Sequence, residues 1–292
     1  MLNQAERDRS ILLIGSTSVI GDALAVELAD LGRVKTAGRR NADITFDLAN
    51  PAALGAVDEA FDTAVLVGAD FGGPTDEDFI RAELINAVGA LTACRLAHRA
   101  GVKHLVLISS ISANYKPGDA YYDMYSLSKR HGEEVAAFYC DQRNIALTII
   151  RPTGVYDTEG RCRNHQGLLY AIVDHALSGS DFTIDGSADP ERNFIHLADL
   201  AQVVKRVIMT ELTGSYVCAH PHSITVSRMT TLAFEVFGRG GHVTYDGSKR
   251  NITELGNIPA SDLYERLAFW PLVSLAEGFR RIKDFKTAEL GS

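Results

Sequence analysis

Short apolar runs alternate with amphipathic stretches along the first half of the chain. The run 11–14 (Ile-Leu-Leu-Ile) ends at Gly15, which predicts a strand buried on both faces of a parallel sheet. Leu24, Leu28 and Leu31 then recur at helical spacing and meet Gly32, a stop signal, so 20–31 reads as a helix. The alternation continues with strands predicted over 34–37, 44–46, 64–67, 104–108 and 146–150. Helices are predicted over 83–100 and 123–143. Strands alternating with helices define an α/β, doubly wound parallel sheet, assigned to residues 1–155.

Past Arg151 the rhythm loosens. Helices over 166–177, 197–210, 226–237 and 275–285 alternate with short strands over 182–184 and 216–218, and glycine, proline and asparagine crowd between them. Residues 156–292 are therefore expected to form a smaller substrate-binding lobe whose chain crosses back to the sheet.

The turn after the first strand, Gly15-Ser-Thr-Ser-Val-Ile-Gly21, lies where a dinucleotide pyrophosphate requires a tight turn, close backbone approach and a helix amino terminus. It makes the sheet a Rossmann unit, with Gly15, Thr17, Ser18, Ile20 and Gly21 as candidate cofactor contacts. Ser18 stands where a middle glycine is often found, and its hydroxyl is a candidate phosphate ligand. The second strand ends Ala37-Gly-Arg39-Arg40. An NAD site usually carries a carboxylate about 20 residues past the glycines. Two guanidinium groups there suit a 2′-phosphate, so NADP(H) is expected over NAD(H). Asp47 and Leu48 are candidates to flank the adenine, with a cap for a segment starting at Asn50 or Pro51 as the alternative for Asp47.

Tyr125 and Lys129 sit at i and i+4 on a predicted helix, so phenol and ammonium share a face. A nearby ammonium is expected to lower the tyrosine pKa, and Lys129 is also a candidate to hold the cofactor's ribose. Ser110 follows the 104–108 strand, at the end where doubly wound sheets place ligands, and can orient a carbonyl beside Tyr125. A second Y-x-x-x-K, Tyr245 to Lys249, falls in a Gly-Ser turn with no helix to align its side chains, and is read as chance. Asn86 in the preceding helix is either a bond donor near the cofactor or an ordinary polar position. Pro152, closing the 146–150 strand, is a candidate border of the nicotinamide.

Charge and cysteine usage narrow the partners. The 292 residues carry a net charge of −8, against a nucleic-acid surface, which needs clustered Lys and Arg. No run approaches membrane-spanning length, and the apolar run behind the polar amino terminus is too short for a signal peptide. Cys94, Cys140, Cys162 and Cys218 have no close pairing, as in a reducing, cytoplasmic setting. His220 and His222 form an isolated H-x-H, and no metal site is expected.

In order along the chain, these segments resemble the extended short-chain dehydrogenase/reductase family, including the NAD(P)-dependent nucleotide-sugar epimerases and dehydratases. The resemblance covers the glycine turn, Asn86-Ala-Val-Gly89, Leu107-Ile-Ser-Ser110, Tyr125 with Lys129, Arg151-Pro-Thr-Gly-Val-Tyr156, Arg192-Asn-Phe-Ile-His-Leu-Ala-Asp199 and Trp270-Pro-Leu-Val-Ser-Leu-Ala-Glu-Gly278. It implies Ser110, Tyr125 and Lys129 as catalytic residues and a homodimer through the helix bearing Tyr125. It also implies that Arg192 contacts a nucleotide-sugar diphosphate, with a salt bridge to Asp199 as the alternative. Ile111 and Ser112 replace the acidic residues that drive dehydration in the sugar dehydratases; Ser112 and Asn114 become candidate substrate contacts instead. The expected activity is an NADPH-dependent reduction of a keto-sugar, nucleotide-linked. The alternatives are an NAD(P)-dependent nucleotide-sugar epimerase, a reductase of a non-nucleotide ketone, and a redox-sensing NADP-binding regulator.

Overall fold

The computed structural model describes residues 8–52 and 57–291. Its elements, in chain order, begin with β1 (Arg9–Ile14), α1 (Val19–Leu28), β2 (Gly32–Gly38), β3 (Ile44–Thr45), β4 (Thr63–Leu66), α2 (Asp76–Glu83), α3 (Gly89–Arg99) and β5 (His104–Ile108). Then come α4 (Met124–Gln142), β6 (Ala146–Pro152), β7 (Gly154–Tyr156), α5 (Gly167–Ser178), β8 (Phe182–Asp185), β9 (Glu191–Arg192), β10 (Phe194–His196) and α6 (Leu197–Thr210). The chain closes with β11 (Gly214–Cys218), β12 (Ile224–Thr225), α7 (Val226–Phe237), β13 (Val243–Asp246), α8 (Leu263–Leu267) and α9 (Leu275–Gly291). None of the helices among the described residues is long and apolar enough to cross a membrane.

The chain divides into two compact units. The first holds residues 1–152, 201–218 and 259–269, and the second 153–200, 219–258 and 270–292. In the first unit seven parallel strands run in the order β11-β6-β5-β4-β1-β2-β3. The apolar runs are unbroken because β1, β4 and β5 are covered on both faces: Ile11, Leu12, Leu13, Leu105 and Val106 have no exposed surface. The strand order reverses at β1, between β4 and β2, so the turn after β1 opens at the switch point where such sheets bind ligands. The second unit is built on strand pairs, β7 with β10 and β8 with β13 in parallel and β9 with β12 antiparallel.

One predicted helix differs. The 83–100 stretch is α3 alone, preceded by a π-turn over Leu84–Val88 and by α2, which starts seven residues before Glu83. The start of α2 is a capping box: Thr75 Oγ1 accepts from Asp78 N–H, and the Asp78 carboxylate accepts from Thr75 N–H. Periodicity misses α2 because only Ala82 of it is buried. The segment proposed to start at Asn50 or Pro51 runs into residues 53–56, outside the described residues.

Candidate active site

Gly15, at φ +91°, turns the chain out of β1, and a Cβ there would lie 2.8 Å from the Gly68 backbone nitrogen. Gly21 meets the Gly15 carbonyl oxygen so closely that no side chain fits. Gly21 therefore packs on the turn itself. Ser18 is the N-cap of α1: its Oγ accepts from Gly21 N–H at 3.0 Å and donates to Gly15 O at 3.0 Å. The Ser18 hydroxyl thereby shapes the turn. Thr17 is exposed and Ile20 half-buried along this turn and the first residues of α1.

At the end of β2, Arg39 and Arg40 are exposed and make no ion pair or hydrogen bond among the described residues. Asp47 folds an Asx turn, its Oδ1 accepting from Ala49 N–H at 3.0 Å. Leu48 wedges against Gly68 and Gly89, both of which lack the Cβ that would displace it.

The Ser110, Tyr125 and Lys129 side chains are drawn together at the carboxyl end of β5. Ser110 caps a 3-10 turn over Ile111–Asn114, its Oγ accepting from Ser112 N–H at 3.1 Å, and its hydroxyl is hydrogen-bonded to the Tyr125 phenol. Asp123 starts α4 by accepting from Ser126 N–H at 2.8 Å, which sets the rotation of the helix carrying Tyr125. Lys129, 5% exposed, donates to Ile108 O at 3.2 Å. Burial pushes the Tyr125 phenol up to about 12, opposed by the Ser110 bond and reinforced by the Asp123 charge. This overturns the expectation that Lys129 would lower it, because the ammonium is not among the groups acting on the phenol. Burial also brings Lys129 down to about 8, against the pull of Glu133.

Glu133 is a residue the sequence reading missed. It lies one further turn along α4, with its side chain 6% exposed, and takes a bidentate bond from Arg151 at the end of β6, Nε to Oε1 at 2.9 Å and Nη2 to Oε2 at 2.5 Å. The signal for it is the second i+4 step, Tyr125 to Lys129 to Glu133. Asn86 proves to be buried in the π-turn. Its Nδ2 donates to Ser128 Oγ at 2.9 Å and to Asp70 O at 2.7 Å, and its Oδ1 accepts from Asp70 N–H at 2.8 Å. Phe71 follows Asp70 and stacks on Tyr125, an arrangement with no signature in the sequence.

Ser112 is half-buried beside Ser110, and Pro152 pairs with Cys218 at the end of β6. Asn114 lines a cavity of about 540 Å³ with Arg151, Tyr216 and Ser261, and its buried Nδ2 has no hydrogen-bond partner among the described residues. Arg192 belongs to the second unit, is 9% exposed, and donates to Thr253 O at 2.7 Å and to Glu191 O at 2.6 Å. Asp199 accepts instead from Leu272 and Val273 N–H, both at 2.9 Å. The second Y-x-x-x-K is pulled apart in use: Lys249 pairs with Asp185 at 2.9 Å, and Tyr245 is 45% exposed. His220 Nδ1 accepts from His222 N–H at 3.2 Å, so the H-x-H closes on itself.

A parallel sheet with a glycine-bounded turn at its switch point, and a serine, tyrosine and lysine gathered beside it, defines a dinucleotide-binding α/β enzyme. The chain belongs to the NAD dependent epimerase/dehydratase family, whose family model matches residues 11–219. It is similar to a dTDP-4-dehydro-6-deoxy-D-allose reductase of a Streptomyces species, 25% identical over 126 residues, which are 43% of this chain and 39% of that protein. The chain thus aligns with about two fifths of that relative's length. Among solved structures it resembles RMD from Pseudomonas aeruginosa complexed with NADPH, with a TM-score of 0.79 and 15% identity over 96% of this chain and 99% of that one. It also resembles the UDP-glucose 4-epimerase of Thermotoga maritima with UDP-glucose, with a TM-score of 0.78 and 18% identity over 96% and 99%.

Proposed function

We propose that the protein reduces a nucleotide-linked keto-sugar with NADPH. The observation that carries this reading is the exposed pair Arg39 and Arg40 at the end of β2 of a sheet that also gathers Ser110, Tyr125 and Lys129, where burial favours the proton-bearing form of the phenol. A net reduction needs a proton donor at the carbonyl oxygen, whereas an epimerase must first remove a hydroxyl proton with a base. The residues present fit the cofactor: the glycine-bounded turn after β1 runs into the amino terminus of α1, which favours an anion, and Arg39 and Arg40 are exposed at the end of β2, where guanidinium groups suit a 2′-phosphate.

When bound, the nicotinamide supplies the hydride. Ser110 orients the carbonyl, and Tyr125 passes its proton to the oxygen. Lys129, its ammonium still the major form at pH 7, holds the ribose hydroxyls. The keto-sugar class is supported by the reductase relative. Arg192, which the family resemblance assigns to a diphosphate, donates here to the backbone at Thr253.

Titration with NADPH and NADH tests the reading, followed by NADPH consumption on a dTDP-linked 4-dehydro-6-deoxyhexose. Replacing both Arg39 and Arg40 by Ala should weaken NADPH binding on the order of 100-fold, as expected for loss of charge-assisted phosphate bonds. NADH binding should be unchanged. NAD retained stoichiometrically through purification would instead favour an epimerase that recycles its cofactor.

A further inference from the structure

The loop after β4 holds an aromatic ring against the Tyr125 phenol with more anchoring than a surface loop requires. Phe71 stacks on Tyr125, ring centroids 4.8 Å apart and planes 16° off parallel, yet the residue is 48% exposed. Its neighbour Asp70 is fixed from several sides. Asn86 accepts from Asp70 N–H and donates to Asp70 O, Arg81 Nε donates to Asp70 Oδ2 at 2.7 Å, and Gly72 N–H donates to Asp70 Oδ1 at 2.8 Å.

The same Asn86 amide donates to Ser128 Oγ, and Ser128 donates to the Tyr125 carbonyl at 3.1 Å. Asn86 itself is 5% exposed, and its amide nitrogen and oxygen are both used. One buried side chain thus ties together the loop carrying Phe71 and the turn of α4 carrying Tyr125. Two rings stacked at this distance gain about 0.5–1.5 kcal/mol beyond burial. That is enough to favour one orientation of a phenol whose own bonds are few.

We propose that Phe71 is a positioning residue for Tyr125: its ring fixes the phenol facing Ser110 and keeps water off one face of it. The proposal deepens the reductase reading and rests on it for its catalytic meaning. In the folded protein the phenol is held as the proton-bearing form, and a ring that excludes water on one side contributes to that. The charge acting on Tyr125 is that of Asp123 at the start of its helix; Lys129 lies one turn further along α4, and Asp70 on the loop is paired with Arg81. All of them remain when Phe71 is changed, so a shift in the phenol's titration reports the ring.

The test needs no substrate. Phe71→Ala, Phe71→Trp and the wild type are titrated through the ultraviolet absorbance of tyrosinate, each with its Tyr125→Phe counterpart subtracted to isolate Tyr125. In Phe71→Ala the Tyr125 midpoint should fall by about one pH unit, as water reaches the exposed face. In Phe71→Trp it should stay near the wild-type value, because a planar ring is restored. An unchanged midpoint in Phe71→Ala overturns the proposal, as does a Trp variant that titrates like the Ala variant. If the midpoint moves as expected while no keto-sugar is turned over with NADPH, the functional reading fails and the hold of Phe71 on Tyr125 stands.

Discussion

Lys129→Met should make the ligand-free protein more stable at neutral pH by about 3 kcal/mol while removing about 10³-fold of its turnover. The ammonium is 5% exposed, and its nearest carboxylate, Glu133, is already bound by Arg151. Burial therefore dominates, lowering the folded pKa from 10.5 to about 8. A folded pKa below the unfolded one means the unfolded chain holds the proton more tightly. The penalty is fully present below pH 8, and it disappears as pH rises through the window from about 8 to 10.5. Met is similar in length and carries no charge, so it removes the penalty without leaving a void. Thermal melts of both proteins at pH 7 and pH 10 check this: the variant should melt several degrees higher at pH 7, with the gap narrowing at pH 10. A variant that melts at or below the wild type at pH 7 would show that the charge is better compensated than its surroundings indicate. The gain in stability with loss of activity is the pattern expected where a buried charge is kept for chemistry.

Arg151→Ala should destabilise the fold by about 3 kcal/mol, the lower end for breaking a buried ion pair. It leaves the Glu133 carboxylate, 6% exposed, without its bidentate partner. Lys129 on the preceding turn already interacts favourably with Glu133, which sets the cost at the lower end. The loss should shrink as pH falls, since an unpaired buried carboxylate takes up a proton above its ordinary range. Urea unfolding at pH 7 and pH 5 reads both effects, and a cost independent of pH would assign the loss to packing. The double variant Glu133→Leu with Arg151→Leu should recover part of the stability, because no buried carboxylate is left unpaired while Lys129 loses the favourable charge of Glu133.

Much of this arrangement was legible in the amino-acid order because it is local. Unbroken apolar runs such as 11–14 and 104–108 can be stable only as strands covered on both faces, and Gly15 and Gly32 mark the turns between elements. The i+4 step from Tyr125 to Lys129 is a property of one helix, and its false copy at Tyr245 was separable because no helix carries it. What remained hidden depends on contacts distant in sequence. That Arg192 donates to Thr253, far along the chain, is a contact of this kind; that Ser18 caps its own turn follows from how the turn closes.

The sign of the Tyr125 shift shows the same division. Spacing alone put an ammonium on the phenol's face and predicted a lowered pKa, but pKa follows solvation and distance, which spacing does not contain. The sequence by itself determined the parallel sheet, the glycine turn and the helical pair, since each is set by the period and stereochemistry of neighbouring residues. Only the tertiary structure decided that Glu133 belongs to Arg151, that Phe71 covers Tyr125 and that burial outweighs charge at the phenol. Those outcomes depend on how much water is excluded when separate elements meet, and no local pattern encodes that.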